Sequence, residues 1–365
     1  MIRESQTFQP FSDEPISLLS ESGEWLADFE LDLDDARLLD FYRQMVLARI
    51  TDERVSTLQR QGKVSFVAPS AGHEGAQIGL GYAIRPGHDW VYPYYRDVGF
   101  LFVLGMEPFE FIAQAMGTRA DTTRGRQMPY HTASRSLRLY SISSPIASHI
   151  PPAVGTALSM KLRGTDEVTV VNFGDGATSE GDWHAAINLA GAQGVPCVFV
   201  CQNNRYAISV GLEKQTGSEN IAIKAHAYGM PGYIVDGMDA LACYYVSKFA
   251  IQKARDGFGP SLIEMQVYRY GGHSSADDDS RYRPRQEVEA WKRRDPLIRM
   301  RKLLERRKLW SQEQDDELRA RVNQELTDVI ARVEAAGSVP VEWMFDDVYA
   351  ELPDHLREQR EDLLA

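Results

Sequence analysis

"VTVVNFGDGATSEGDWHAAINLAG", residues 168–191, is the stretch on which the fold turns. A run of β-branched and aromatic residues drops into Gly174-Asp175-Gly176, passes through small polar residues, and enters a helical pattern. A continuous apolar run rather than an alternating one is how a strand covered on both faces is written. An acid between two glycines at the end of such a strand can cap a turn, coordinate a metal, or belong to a nucleotide loop.

The pattern repeats outward from this stretch. "EVTVVNF" reads as a strand, "GDWHAAINLAGAQG" as a helix and "PCVFVCQ" as a strand; "GYIVDG" and "SLIEMQVYRY" are strands around the helix "ALACYYVSKFAIQKARDG". Strands alternating with helices predict an α/β fold, a doubly wound, mostly parallel sheet with helices on both faces. Upstream, "DDARLLDFYRQMVLARITDERVSTLQRQG" has helical spacing and a stop at Gly62, "AGHEGAQIGLGYAIRPG" is a second helix ended by Pro86-Gly87, and "PFEFIAQAMG" is a third. "PPAVGTALSMKLRG" opens with proline, as first turns allow. Residues 118–148 carry no period, and irregular runs of that length inside compact domains are usually functional loops. The reading gives an N-terminal arm over 1–35 that packs on something else, an α/β domain over 36–285, and a charged helical region over 286–365 packing on partner subunits. "SQEQDDELRARVNQELTDVIARVEAAG" opens with Ser311 and Gln314 at capping-box spacing.

Composition narrows the function classes. The 365 residues carry a net charge of −12, which argues against nucleic acid as the main partner. The locally basic stretch 281–308 has acids interspersed and reads as solvated helix faces. No apolar run approaches the roughly 18 residues of a membrane span, and the opening "MIRESQTFQPFSDEPISLL" lacks the n- and h-regions of a secretory signal. A cytoplasmic protein, not held in a membrane, is expected. Cys197, Cys201 and Cys243 form no C-x-x-C pair, and buried free thiols are expected.

Two phosphate-loop motifs fail at Gly174–Gly176. There is no Gly-Lys-Ser/Thr, and "GDGATSEG" spaces its third glycine wrongly for a dinucleotide fingerprint. An acid there would repel a phosphate unless a cation lay between them, which points to Mg²⁺ bridging carboxylate and phosphate oxygens. The next strand ends in "NNRYAIS", so Asn203 or Asn204 would arrive beside Asp175 with an amide oxygen, while the N–H groups opening the helix after Gly176 would face the phosphates. The glycines are expected to let the backbone turn sharply and approach the ligand closely.

"GDG" followed about 27 residues later by "NN" resembles the thiamine diphosphate motif. With "YPYYRD" (92–97), "GRQMPYH" (125–131), "SISSPIASHIPPAVG" (141–155) and "YRYGGHSSADDDSRYR" (268–283), the chain from about residue 35 to 350 resembles the alpha subunits of the thiamine-dependent 2-oxo acid dehydrogenases. The acids after His273-Ser274 look like the branched-chain 2-oxo acid enzymes; pyruvate or acetoin enzymes are the alternative.

The resemblance implies a sheet of the thiamine diphosphate-binding type and, as cofactors, thiamine diphosphate and Mg²⁺. The metal would be held by Asp175, Asn204 and the Tyr206 carbonyl. The cofactor would touch Tyr94, Tyr95, Arg96, Ser144, Pro145, Ile146, Gly174, Gly176, Ala177, Thr178, Ser179, Glu180, Arg205, Ala207, Ile208 and His273, with Ile146 supporting the bend between its rings. His273 and His131 would be catalytic, and Phe66, Tyr95, Met128, Pro129, Tyr130 and His131 would form the substrate pocket. His73 starts a helix and is structural. The carboxylate that activates the pyrimidine ring would come from a separate beta subunit in an α2β2 assembly. The acyl acceptor would be the lipoyl domain of a dihydrolipoyl acyltransferase. The chain departs from mitochondrial relatives at Gln202, where they have arginine, and at Ser148-His149, where they have Thr-Gln around a potassium ion. A scaffold that has lost its chemistry would lack Asp175, Asn204, His131 or His273, and all are present.

Overall fold

The computed structural model describes residues 14–365. Residues 1–13, the start of the expected arm with Pro10, lie outside them. The chain opens with α1 (Asp35–Arg60), capped by the Asp34 carboxylate on the Arg37 N–H, then α2 (Glu74–Ala83), β1 (Trp90–Tyr92), α3 (Val98–Val103), α4 (Pro108–Met116) and α5 (Ile150–Arg163). There follow β2 (Thr169–Gly174), α6 (Gly181–Gln193), β3 (Cys197–Asn203), and a small antiparallel hairpin, β4 (Tyr206–Ala207) with β5 (Val210–Gly211), that runs into α7 (Leu212–Gln215). The domain is completed by β6 (Gly232–Asp236), α8 (Ala240–Arg255) and β7 (Ser261–Gln266). α9 (Arg285–Lys292), α10 (Pro296–Arg306), α11 (Gln312–Ala335) and α12 (Asp354–Leu364) close the chain.

The main sheet has the order β1-β2-β3-β7-β6 and is parallel throughout. β2 and β3 are buried along almost their whole length, as continuous apolar runs require. One apolar core lies under α1, α2 and α8; a second, built on Trp183, Phe173 and Phe199, lies under α5 and α6. Helices therefore cover both faces, as the strand-helix alternation predicts. The strand expected over "SLIEMQVYRY" stops at Gln266, and Val267–Tyr270 leave the sheet toward the carboxyl edge. β1 and α3 are short additions that the sequence pattern does not announce.

Some details differ from expectation and others agree with it. The described part of the arm adds to the edge of its own sheet: Ile16 bridges Val235, and the Asp239 carboxylate accepts from the Leu18 and Leu19 N–H groups. The basic stretch 281–308 is only partly solvated. Arg299 is buried and ion-pairs with Asp236 at 2.8 Å, and Arg283 is buried beneath the carbonyls of Arg269 and Gly271. Ser311 caps α11 through the Gln314 N–H, but only that half of a capping box forms; Glu107 and Glu110 make a complete one at α4. α10 and α11 pack on α1 of the same chain, and α11 also on α4. The three cysteines are free and buried. No helix among the described residues is long and apolar enough to cross a membrane.

α2 and α8 lie close because glycines line their seam. A Cβ on Gly79 would sit 2.4 Å from the Ala240 carbonyl oxygen and 2.6 Å from the Cys243 Cβ. Nothing lies within 4 Å of a Cβ on Gly155, inside α5. Gly79→Ala should therefore cost about 1–3 kcal/mol by overpacking. Gly155→Ala should gain roughly 0.5–1 kcal/mol from helix propensity. Urea unfolding of the two variants should move in opposite directions.

Candidate active site

β3 and β7 are neighbours although the chain visits β6 between them, so the strand order reverses there. In open α/β sheets that reversal leaves a crevice outside the carboxyl ends of the strands. A cleft of about 460 Å³ opens at this edge. Its walls come from the turns after β1, β2, β3 and β7, with the irregular segment 118–148 across the top.

Asp175 follows β2 as the first residue of a short 3₁₀ turn, Asp175–Ser179, that leads into α6. It is 1% exposed and makes no ion pair among the described residues. Burial pushes its carboxyl up from the ordinary value; Gln215, the N–H groups of Asp175 and Asn204, and the Arg269 charge pull it down. The register Gly174↔Gln202 sets the ends of β2 and β3 level, so Asn204 reaches the cleft beside Asp175. Asn203 turns the other way and donates to Glu264 at 2.7 Å. Gly174 and Gly176 do not adopt the left-handed backbone. Gly176 is needed for closeness instead, since a Cβ there would lie 2.9 Å from the Ala207 Cβ.

Two buried guanidiniums belong to this region: Arg96 lines the cleft, and Arg269 bonds the carbonyls of the lining residues Tyr206 and Ile208 without lining it itself. Arg96 is 1% exposed and Arg269 is 0% exposed. Neither makes an ion pair among the described residues. Arg96 donates to the carbonyls of Pro69 and His273, and Arg269 to the Ile208 carbonyl, the Tyr282 hydroxyl and, at 3.5 Å, the Tyr206 carbonyl. The Nε of each has no partner. Buried charges are normally paired, so Arg96 leaves the cleft short of an anion, while Asp175 in the same lining is short of a cation. A ligand presenting a diphosphate to Arg96 and a divalent cation to Asp175 would satisfy both. Asp175, the Asn204 amide oxygen and the Tyr206 carbonyl are the hard oxygen donors such a cation takes. The residues therefore fit the group.

His273 lies beside this pair. Its Nδ1 is 3.5 Å from Arg96 Nη2, which presents a hydrogen, so Nδ1 accepts and the ring proton sits on Nε2. Burial first, then the charges of Arg96 and Arg269, lower its pKa to about 4. Asp277 fixes the loop by accepting from the His273 N–H at 2.6 Å. Tyr95 stands between the two histidines, stacked on His131 at 6.4 Å and edge-on to His273 at 6.1 Å. His131 Nδ1 is 3.0 Å from the Pro129 carbonyl, so it carries the proton and leaves the Nε2 lone pair to accept from Ser144 Oγ at 2.7 Å.

Phe66, Met128 and Ile146 add apolar surface to the cleft, with Tyr94, Ala177, Ala207 and Ile208. Not every expected residue joins it. Tyr130 has a left-handed backbone, φ +69°, which turns its ring into the core against Phe111. The Pro129 carbonyl serves His131 rather than the cavity. Pro145, Thr178, Ser179, Glu180 and Arg205 do not line it; the Thr178 hydroxyl receives Lys224 and Arg205 is exposed. Ser143, Ala147, His149 and Phe173 line it without having been expected. His149 donates Nε2–H to the Asn172 carbonyl at 2.8 Å and leaves Nδ1 unpartnered. His73 is fully buried at the start of α2, away from the cleft wall.

A buried polar network backs the wall. Asp97 accepts from the Tyr94 N–H, Asn172 Nδ2 and Gln202 Nε2, and Tyr94 and Gln77 both donate to Gln202 Oε1. Gln77 also donates to the Arg96 carbonyl. Gln202 thus serves the wall from behind rather than a ligand. Four non-glycine residues that line the cleft or adjoin a lining residue in sequence, Tyr130, Ala147, Arg205 and Ile208, have left-handed backbones, and Arg124 and Arg138 in segment 118–148 do too.

A doubly wound parallel sheet with an anion-and-cation cleft at its switch point defines a class of ligand-binding α/β enzyme, and sequence comparison gives the family. Residues 42–342 match the family model described as dehydrogenase E1 component. The chain is 42% identical over 325 residues to the 2-oxoisovalerate dehydrogenase subunit alpha of Bacillus subtilis, covering 88% of this chain and 97% of that protein. It is 39% identical over 344 residues to the mitochondrial 2-oxoisovalerate dehydrogenase subunit alpha 1 of Arabidopsis thaliana, covering 94% and 73%. It is 37% identical over 350 residues to the pyruvate dehydrogenase E1 component subunit alpha of Bacillus cereus, covering 95% and 92%. The chain belongs to the dehydrogenase E1 component family.

The state of His273 has a consequence for pH. Its folded pKa lies below the ordinary 6.5. As pH falls through 6.5, the unfolded chain takes up a proton that the folded chain refuses until about 4, so stability is lost over that window. His149 is also depressed and contributes in the same direction. His273→Gln should flatten the fall in urea midpoint over this range; an unchanged slope would contradict the assignment.

Proposed function

We propose that this chain is the alpha subunit of a branched-chain 2-oxo acid dehydrogenase. The reaction is oxidative decarboxylation of acids such as 3-methyl-2-oxobutanoate, with transfer of the acyl group to the lipoyl domain of a dihydrolipoyl acyltransferase. Membership of the E1 component family implies thiamine diphosphate as cofactor and a beta subunit as partner. Mg²⁺, the α2β2 assembly and the lipoyl acceptor are parts of the proposal. The observation that carries it is that one cleft is lined by both the anion-short Arg96 and the cation-short Asp175.

When bound, thiamine diphosphate supplies a carbon nucleophile and an electron sink for loss of CO₂. In this reading Asp175, Asn204 and the Tyr206 carbonyl would hold the metal, Arg96 and His273 would meet the diphosphate, and Ile146 would give the cofactor aliphatic support. Ser144 and His131 form a hydrogen-bonded pair whose imidazole keeps one lone pair directed at the hydroxyl, an arrangement suited to moving a proton beside the reacting carbon. Phe66 and Met128 favour an aliphatic side chain on the substrate over a charged one. The carboxylate that the cofactor's pyrimidine needs belongs to the beta subunit, and the exposed apolar rim of Met128, Ile146, Ile208 and Val210 suits a covered interface. The names of the relatives support the branched-chain assignment, and the 37% identity to a pyruvate enzyme keeps pyruvate in the test.

The chain co-expressed with a beta subunit should decarboxylate 3-methyl-2-oxobutanoate and 4-methyl-2-oxopentanoate in preference to pyruvate, measured with thiamine diphosphate and Mg²⁺. A large preference for pyruvate would replace the substrate. Asp175→Ala should weaken Mg²⁺-dependent cofactor binding by more than about 100-fold, beyond the effect of losing an outer-shell partner. Calorimetric titration of cofactor with and without Mg²⁺ checks it.

A further inference from the structure

Gln215 ends α7, outside the cleft lining, yet its side chain reaches Asp175. Its Nε2 donates to Asp175 Oδ2 at 2.8 Å and to the Val210 carbonyl at 3.0 Å. An amide NH₂ has two hydrogens and both are used. The two acceptors also decide which way round the amide lies, since its oxygen could bond neither. One carboxylate oxygen of Asp175 is thereby held, in a fixed direction, by a neutral group.

The neutrality matters. A lysine or arginine here would neutralise Asp175 and compete with any cation in the cleft. An amide orients the carboxylate and leaves its charge available. The second acceptor matters equally. Val210 belongs to β5, paired with β4 through Ala207↔Val210 and Tyr206↔Gly211. β4 carries Tyr206, and Ala207 is the residue that Gly176 packs against. Leu212 N–H donates to the Arg205 carbonyl, so α7 is tied back to the residue before the hairpin. Gln215 thus clips the turn after β2 to the hairpin after β3, the two halves of the proposed metal site.

We propose that Gln215 is a positioning residue for the divalent cation: it aims the Asp175 carboxylate and fixes its distance from Asn204 and Tyr206. This rests on the reading of Asp175 as a metal ligand, and the test separates the two. The complex of this chain with its beta subunit is loaded with thiamine diphosphate and titrated with Mn²⁺ by electron paramagnetic resonance, and its melting temperature is measured in EDTA. Gln215→Met keeps the length of the side chain and removes the donor. It should raise the Mn²⁺ dissociation constant by about 10- to 100-fold while leaving the metal-free melting temperature unchanged. Gln215→Lys should abolish Mn²⁺ binding in a complex that still assembles. Affinity within about twofold of the parent in Gln215→Met, well under the range for an outer-shell partner, would overturn the proposal. So would a loss of affinity matched by a loss of metal-free stability, which marks a purely structural contact. Asp175→Asn is the control. If it binds Mn²⁺ like the parent, the ligand assignment fails; if it loses binding and Gln215→Met does not, only the role of Gln215 fails.

Discussion

Asp97 is fully buried, makes no ion pair among the described residues, and accepts hydrogen bonds from the turn after β1, from β2 and from β3. Burial is strong enough to push its carboxyl up to about 7, against the pull of those donors. A buried polar group of this kind is tolerable only while every partner stays in place. That requirement locks the turn carrying Tyr94, Tyr95 and Arg96 against the ends of the two central strands. The cleft wall is then a fixed surface, and Arg96 enters the site from a backbone that cannot give.

The charges in the cleft follow from the same rigidity. Arg96 and Arg269 are held by carbonyls and a hydroxyl, contacts that orient guanidiniums without neutralising them. Asp175 is held by an amide, which does the same for a carboxylate. His273 is kept neutral by burial first and by the charges of Arg96 and Arg269 after it. A polar ligand with both signs of charge enters such a site without displacing internal ion pairs, so its own desolvation is the main cost of binding.

Much of this architecture could be read from residues alone, for reasons that differ by element. β2, β3, β6 and β7 are apolar runs bounded by glycine, proline or helical patterns, and burial on both faces leaves no other arrangement. Asp175 and Asn204 were legible because each follows a strand that ends at the same sheet edge. β1 and α3 are too short, at 3 and 6 residues, for any period to emerge. Gln77, Asp97 and Gln202 are single polar residues in apolar surroundings, and what they do depends on partners far along the chain. Arg269 sits in plain view in "YRYGGH", but its want of a counter-charge exists only in three dimensions. Tyr130 has the sequence neighbours of a pocket residue, and one backbone angle sends it elsewhere.

The left-handed backbones at Tyr130, Ala147, Arg205 and Ile208 have a consequence for anyone who wishes to make this protein hardier. Non-glycine residues in that region store about 1–3 kcal/mol each, so a selection for heat resistance would find its easiest gains there. Every such gain would relax a segment that builds the cleft. Durability and function are therefore in opposition at these four positions, and an engineer would do better to work on the far face of the sheet.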